Sequence, residues 1–380
     1  MYFNYKFIFL FFCLLFIFAC TSQQEVATNR DEQIGVTDKE IFLGSSLALK
    51  GHAGYLGTQT LRGAKCYINY INENGGVYGR KIKIIAYDDS YDPPKCLANT
   101  QRLLIDDQVF ALFCYVGTPT TVKVLPMIED ARIPLIGMFT GANALREPFN
   151  PYLINIRPSY YQETREAVRH LVRDLSLQRI AVFYQYDAYG FDGLTGTELA
   201  LKDFGLAPVA RGSYIRGTLD IDEAFNKIRL SHAQAVVMIG TYGPCARFIQ
   251  LAQEKDYHPV FYNLSFVGAE ELARKLKGTK EIVLMSQVVP PPVSLECAEK
   301  KGAINYINLL KRYYPQDKPN YVGFEGYINA RVLVEGLIRA GRNLTRSKLI
   351  KAIESIKEFT LEGDITVHFG PHDHQGMDRS

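Results

Sequence analysis

The feature that most restricts the fold is an alternation, repeated along the chain, of short and almost wholly apolar runs with segments of helical periodicity. In the first series the runs are residues 41–49, 81–87, 109–116 and 133–137. Between them Leu61, Ala64, Ile68 and Ile71 recur at helical spacing, a helix is expected over about 94–106, and Val122, Leu125 and Ile128 mark another over 120–131. A strand that is apolar at nearly every position must be covered on both faces, and intervening helices supply that cover, so the sheet is parallel. A second series follows residues 152–157, with strands expected at 179–184, 209–214, 235–239, 260–263 and 281–286 and helices at 163–175, 194–204, 222–230, 245–254 and 269–276. Two α/β sets suit a chain of 380 residues, because single cores seldom grow past about 250–300 residues.

Beyond Pro290-Pro291-Pro292 the chain turns helical, over 297–313, 326–339 and 347–356, and ends in two extended runs, 359–361 and 365–369. Those helices are too many for the second sheet alone. The chain is therefore expected to cross back at 287–292, giving one lobe of residues 38–156 plus 289–356 and a second of 157–288 plus 357–380. No internal repeat of about 20–50 residues appears, which excludes a solenoid.

The first residues stand outside this pattern. Residues 2–19 carry one cation, Lys6, before an apolar run from 7 to 19. That run is shorter than the roughly 20 residues a membrane-spanning helix needs and fits the core of a secretion signal. Ile17-Phe18-Ala19-Cys20 places an aliphatic residue at −3, a small one at −1 and a cysteine at the cut. This resembles a bacterial lipobox, the alternative being a plain signal with an incidental cysteine. The resemblance implies a signal peptide over 1–19, diacylglycerol on Cys20 and a polar tether over 20–37, holding the protein on a membrane without spanning it.

Charge and cysteine content narrow the partners. Lys plus Arg number 43 against 40 Asp plus Glu, a formal charge of +3. So balanced a chain has no field with which to attract nucleic acid. Setting aside Cys13 and Cys20 leaves Cys66, Cys96, Cys114, Cys245 and Cys297, with no CxxC spacing. Most are expected to be small buried hydrophobes, with one disulfide among Cys66, Cys96 and Cys114 left open. The chain lacks G-x-S-x-G, H-E-x-x-H and the phosphate-binding glycine loops, so no enzyme class finds support. His368, His372 and His374 with Asp373 read as a polar terminal loop rather than a metal site, and neither metal nor cofactor is expected.

In open α/β sheets ligands sit outside the carboxyl ends of the strands. There the sequence places Gly117-Thr118-Pro119-Thr120, Met138-Phe139-Thr140-Gly141-Ala142, Tyr186-Asp187-Ala188-Tyr189-Gly190 and Gly240-Thr241-Tyr242-Gly243. Thr118 or Thr120 either caps the helix that follows or presents its hydroxyl to a carboxylate. Gly141 permits close backbone approach, and tyrosines on strand-end loops give flat apolar faces with a polar tip.

These segments together resemble the type I periplasmic-binding-protein fold, in the branch of ABC-transporter receptors similar to leucine/isoleucine/valine-binding proteins. The resemblance spans about residues 35–370. It rests on Gly51 and Gly57 after the first strand, on Asn74-Gly75-Gly76-Val77-Tyr78-Gly79-Arg80, on Tyr87-Asp88-Asp89 with Asp92-Pro93, and on Thr118, Asp187-Ala188-Tyr189-Gly190, Gly240-Thr241-Tyr242 and Phe324-Glu325-Gly326-Tyr327. It implies two Rossmann-like lobes with parallel sheets, joined by a multi-strand hinge that closes like a flytrap. Ligand contacts would fall on Thr118, on Phe139, Thr140 and Gly141, and on Tyr189 and Tyr242. The position of the acid that holds an α-ammonium group reads Leu264-Ser265-Phe266, so Ser265 stands near where a carboxylate is expected. Either Asp187 or Glu163 supplies that charge, or the ligand is an amide, a short-chain acid or an aromatic carboxylate. Tyr55 lies beside Leu56 where the first loop would place an aromatic. Members continue past a segment like residues 363–369 with another strand, whereas this chain reaches Ser380 after a polar stretch. The implied partners are a small-molecule ligand, a membrane permease and its ATPase, on the periplasmic or extracellular face. A ligand-sensing receptor or amide-responsive regulator of the same fold is the alternative.

Overall fold

In the computed structural model, which describes residues 33–293 and 303–378, β1 (Glu40–Leu47) pairs in parallel with β2 (Lys81–Asp88) from Glu40↔Lys81 to Leu47↔Asp88. The crossover between them is α1 (Gly54–Glu73). After α2 (Pro93–Ile105), β3 (Ala111–Phe113) joins the other side of β1, with Leu43 opposite Ala111. The expected helix over 120–131 forms as two pieces, α3 (Thr118–Lys123) and α4 (Leu125–Asp130). Pro126 explains the break, because it cannot donate to the carbonyl four residues back and its ring crowds that turn. Then β4 (Leu135–Ile136) and β5 (Leu153–Ile154) complete a five-stranded sheet in the order β2-β1-β3-β4-β5.

The second sheet repeats this plan. α5 (Tyr160–Arg169) starts three residues ahead of expectation, since Ser159 and Gln162 form a reciprocal capping box that satisfies the first free amides. β6 (Ile180–Gln185), α6 (Ala188–Lys202), β7 (Arg211–Tyr214), α7 (Asp222–Leu230), β8 (Ala235–Ile239), α8 (Tyr242–Glu254), β9 (Val260–Asn263), α9 (Ala269–Lys275) and β10 (Val283–Met285) follow. Their order is β10-β9-β8-β6-β7, again parallel. In both sheets the first strand has its successors on opposite sides, so the crevices open at the carboxyl ends of β1 and β3 and of β6 and β8.

The chain then returns to the first lobe. α10 (Ile304–Tyr313), α11 (Tyr321–Ala340) and α12 (Arg346–Glu354) share a core with β1, in which Ile41, Leu43, Phe113, Tyr306, Phe324, Tyr327 and Leu333 are buried. α11 begins five residues before the expected 326 because the Asn320 side chain accepts from the Gly323 amide at 2.7 Å. α1 and α11 meet through glycines. A Cβ on Gly63 would lie 1.7 Å from the Gly323 carbonyl oxygen, and one on Gly326 would lie 2.1 Å from that of Thr60.

The terminal runs form an antiparallel hairpin, β11 (Phe359–Thr360) and β12 (Thr366–Val367). Expected with the second lobe, this stretch instead buries Leu361, Ile365, Val367 and Phe369 in the core of the first. Gln375 bridges Asn155 at the crossing between lobes. Cys66, Cys96, Cys114 and Cys245 are buried free thiols, so the disulfide left open among the first three is not formed. Burial pushes the Cys66 thiol up to about 12. Cys297, the lipobox and the tether up to Asp31 and Glu32 lie outside the described residues. Among those described, no helix is long and apolar enough to cross a membrane.

The glycine contact yields a prediction. Gly63→Ala should lower stability by about 1–3 kcal/mol in urea unfolding, the usual cost of overpacking, despite the helix propensity of alanine. An unchanged or raised midpoint would show that the two helices do not approach this closely.

Candidate ligand cleft

The loops at the carboxyl ends of both sheets face each other across one cleft. On leaving β3 the chain turns at Gly117, whose φ of 98° suits glycine, and a Cβ there would fall 2.1 Å from the Tyr91 ring. Thr120 spends its hydroxyl on the carbonyls of Val116 and Gly117, at 2.7 and 2.9 Å. Neither Thr118 nor Thr120 caps α3. Thr118 is left for the cleft, its Oγ1 2.7 Å from Oγ1 of Thr140, and both side chains are fully buried. Phe139 and Gly141 flank Thr140. The Gly141 carbonyl accepts from the Tyr160 amide at 2.6 Å, and a Cβ on Gly141 would strike the Tyr160 ring at 2.8 Å.

From the second lobe, Asp187 caps α6 by accepting from the Tyr189 amide at 3.0 Å. It also accepts from Gln185 Nε2 at 2.7 Å and from Arg216 Nη1 at 2.9 Å. Tyr189 is buried, and its hydroxyl donates to the Gly240 carbonyl at 3.3 Å. Tyr242 stands at the rim rather than the floor, edge-on to Tyr55 with ring centroids 6.3 Å apart. A cavity of about 450 Å³ opens beside it, lined by His52, Gly217, Leu219, Arg247 and Lys275 among others.

At the centre Phe266 packs against Tyr91, Phe139 and Tyr189, with centroids 5.9, 5.6 and 4.7 Å away, and Tyr160 lies 5.2 Å from Tyr189. Beneath them Arg157, with 1% of its side chain exposed, pairs with Glu163 at 2.7 Å and Glu325 at 3.4 Å and donates to Ser265 Oγ. Its guanidinium carbon is 5.2 Å from the Phe139 centroid and 5.7 Å from that of Tyr160. Glu163 accepts four bonds in all, from Arg157, from the Ser265 amide and hydroxyl, and from Ser286 Oγ. Both carboxylates named from the sequence as sources of charge are thus already fully occupied. Arg157 Nε has no partner here, and Tyr160 Oη lies beside Thr140 and the Gly141 amide without a well-formed bond.

Contacts across the cleft hold it shut. Glu270 of α9 accepts from the Tyr55 hydroxyl at 3.2 Å and from the Tyr321 amide at 2.8 Å, at the amino end of α11 where a carboxylate is favoured. Asp192 of α6 accepts from the Asn143 amide at 3.0 and 3.1 Å, and burial pushes its carboxyl up to about 6. Gln185 Nε2 donates to the Tyr91 hydroxyl at 3.3 Å.

Of the residues expected from the sequence, Thr118, Phe139, Thr140, Gly141, Asp187, Tyr189 and Ser265 lie at or directly around the cleft, and Tyr242 lies at its rim. Sequence reasoning missed Tyr91, Arg157, Tyr160 and the central role of Phe266. An arginine ending the extended run 152–157, directly before a Ser-x-x-Gln cap, was the available signal. Away from the cleft, His374 sets Nδ1 3.0 Å from the Leu153 carbonyl oxygen and Nε2 3.1 Å from the Glu354 carboxylate. Among the described residues no group of three or more His, Cys, Asp or Glu side chains is placed to hold a metal ion.

A family model described as a periplasmic binding protein matches residues 40–380. The solved structure of a possible leucine/isoleucine/valine-binding protein from Rhodopirellula baltica SH 1 superposes with a TM-score of 0.83 at 31% identity, covering 89% of this chain and 92% of that one. Leu/Ile/Val-binding protein homolog 7 of Brucella abortus (strain 2308) is 23% identical over 311 residues, 78% of this chain and 77% of that protein. An amino acid binding protein of Pseudomonas aeruginosa is 24% identical over 340 residues, 86% of this chain and 88% of that one.

The buried charges predict a pH dependence. Burial lifts the Glu325 carboxyl from its ordinary 4.5 to about 7, with Arg157 opposing and Glu163 adding to the shift. A carboxyl raised on folding contributes stability below its unfolded value and loses it as pH climbs through the folded one. The melting temperature should therefore carry a falling component between pH 4.5 and 7, and Glu325→Gln should flatten that component. An unchanged slope in the variant would show that Glu325 is not the titrating group.

Proposed function

This chain belongs to the periplasmic binding protein family and is of the Leu/Ile/Val-binding type; from that premise we propose that it is the extracytoplasmic solute-binding component of an ABC importer. In this reading a small ligand enters the open cleft, engages the hydroxyls of Thr118 and Thr140, and is covered by Tyr189 as the second lobe closes. The observation that carries it is the approach of the two lobes at Tyr160, whose amide donates to the Gly141 carbonyl next to Thr140 and whose ring lies 5.2 Å from that of Tyr189, across a cleft clasped by Glu270 and Asp192. A ligand favours the closed form only by binding it better than the open one. Contacts available from both lobes at once provide that difference. The closed form is then the one delivered to a membrane permease driven by its ATPase.

Export completes the assignment. The signal over 1–19 and lipid on Cys20 would tether the protein to the membrane by residues 20–37, so that a released ligand has little distance to travel. Cys20→Ser should abolish fatty-acid labelling and move the protein from the membrane to the soluble fraction. A variant that stays membrane-bound would overturn the lipobox reading.

The cleft itself is tested with whatever small molecule native mass spectrometry finds retained through purification. Thr118→Val should weaken its binding by about tenfold or more, the scale of one hydrogen bond to a charged group. Tyr189→Phe, which loses only the bond to Gly240, should weaken it less. Tyr189→Ala is a poor probe, because removing a fully buried ring also costs about 3–5 kcal/mol of folding stability. Unchanged affinity in Thr118→Val would remove the cleft hydroxyls from the site.

A further inference from the structure

Resting on the cleft reading above, we infer that the ligand is a monocarboxylate with an apolar body and no α-ammonium group, its charge read by Tyr160 and Arg157 together with the threonine pair. Of the two hydroxyls of Thr118 and Thr140, 2.7 Å apart, one donates to the other, and the acceptor's own proton is left over. Arg157 Nε is buried and unpartnered, and the Tyr160 hydroxyl is buried beside Thr140 and the Gly141 amide without a well-formed hydrogen bond to either. The site is thus rich in unused donors.

Acceptors are the scarce side. Glu163 takes four bonds, Asp187 takes Arg216, Gln185 and the amides that open α6, and Asp89 takes Ser46 Oγ and the Tyr91 amide at 2.8 Å each. Glu325 takes Arg157 Nη1 at 3.4 Å. An α-ammonium group would bring three protons and one positive charge to a place where every carboxylate is already engaged. Leaving such a charge unpaired out of water is costly, whereas a carboxylate offers about four lone-pair sites to the waiting donors. The walls are Tyr91, Phe139, Tyr189 and Phe266, all buried, so the rest of the ligand meets apolar faces. Phe266, which touches three of the other rings' faces or edges, is the surface on which that body stacks.

Matched ligand series test this. Calorimetric titration would compare 4-methylpentanoate, 4-methylpentanamide and leucine, and likewise 3-phenylpropanoate, 3-phenylpropanamide and phenylalanine. The acid of at least one series should bind at least tenfold tighter than both its amide and its amino acid. Tyr160→Phe should reduce that preference tenfold while leaving the ligand-free unfolding midpoint unchanged or raised, since the hydroxyl has no well-formed bond to lose. Tighter binding of leucine or phenylalanine, or of an amide, would overturn the inference and leave the cleft reading standing. An acid preference that survives intact in Tyr160→Phe would remove Tyr160 from charge recognition. Binding of none of the six, with the natively retained molecule held equally well by Thr118→Val, would overturn both.

Discussion

Where the chain first leaves one lobe for the other, a single buried guanidinium holds the two together. Arg157 lies in the crossing segment, Glu325 on a helix of the first lobe, and Glu163 and Ser265 in the second. Side-chain exposures of 1%, 0% and 3% for Arg157, Glu163 and Glu325 leave water no part in solvating these charges. A buried ion pair returns its desolvation cost only when its geometry and remaining hydrogen bonds are complete. Glu163 meets that condition with four donors, and Glu325, at 3.4 Å and lifted toward neutrality, meets it less well. The arrangement is asymmetric: the second lobe grips Arg157 firmly and the first lobe more loosely.

That asymmetry has a mechanical consequence. Arg157 ties the crossing segment to α5 and to the 265–267 turn, so under the proposed function an opening would be taken up on the side of Glu325. Glu270 with Tyr55 and Tyr321, and Asp192 with Asn143, join the lobes at other points, and an opening of the cleft would have to break these bonds. Hinge closure of two rigid lobes about a few crossing residues is the expected behaviour of such a connection. The Gly63–Gly323 and Thr60–Gly326 approaches keep α1 and α11 locked as one body, so that the first lobe moves as a unit.

The two sheets were legible because their strands are apolar almost throughout, and a doubly covered strand leaves no other reading. Helix starts were less so. Those of α5 and α11 depend on Ser159 and Asn320, polar residues that a search for apolar periodicity passes over. The terminal hairpin was assigned to the wrong neighbour, since alternation along 359–369 says that one face is buried and nothing about which core receives it. The cleft divides in the same way. Thr118, Thr140 and Tyr189 follow strands and are found by position alone. Arg157 and Glu325 are 168 residues apart, and Tyr91 and Gln185 are 94 apart, so their meeting is a product of two crossings rather than of any local pattern.

The closed cleft without a ligand is also a compromise. Tyr160 Oη and Arg157 Nε are buried without a well-formed bond to another protein group, and a buried donor left unsatisfied costs about 1–3 kcal/mol. Asp192 adds the cost of a carboxylate drawn toward neutrality by burial. Against these stand the aromatic packing around Phe266 and the two carboxylate clasps. A ligand that pairs the orphaned donors removes the main term opposing closure while leaving the clasps intact. Under the proposed function the same atoms that oppose closure would favour it once paired with a ligand, so that recognition and closure would draw on one set of groups.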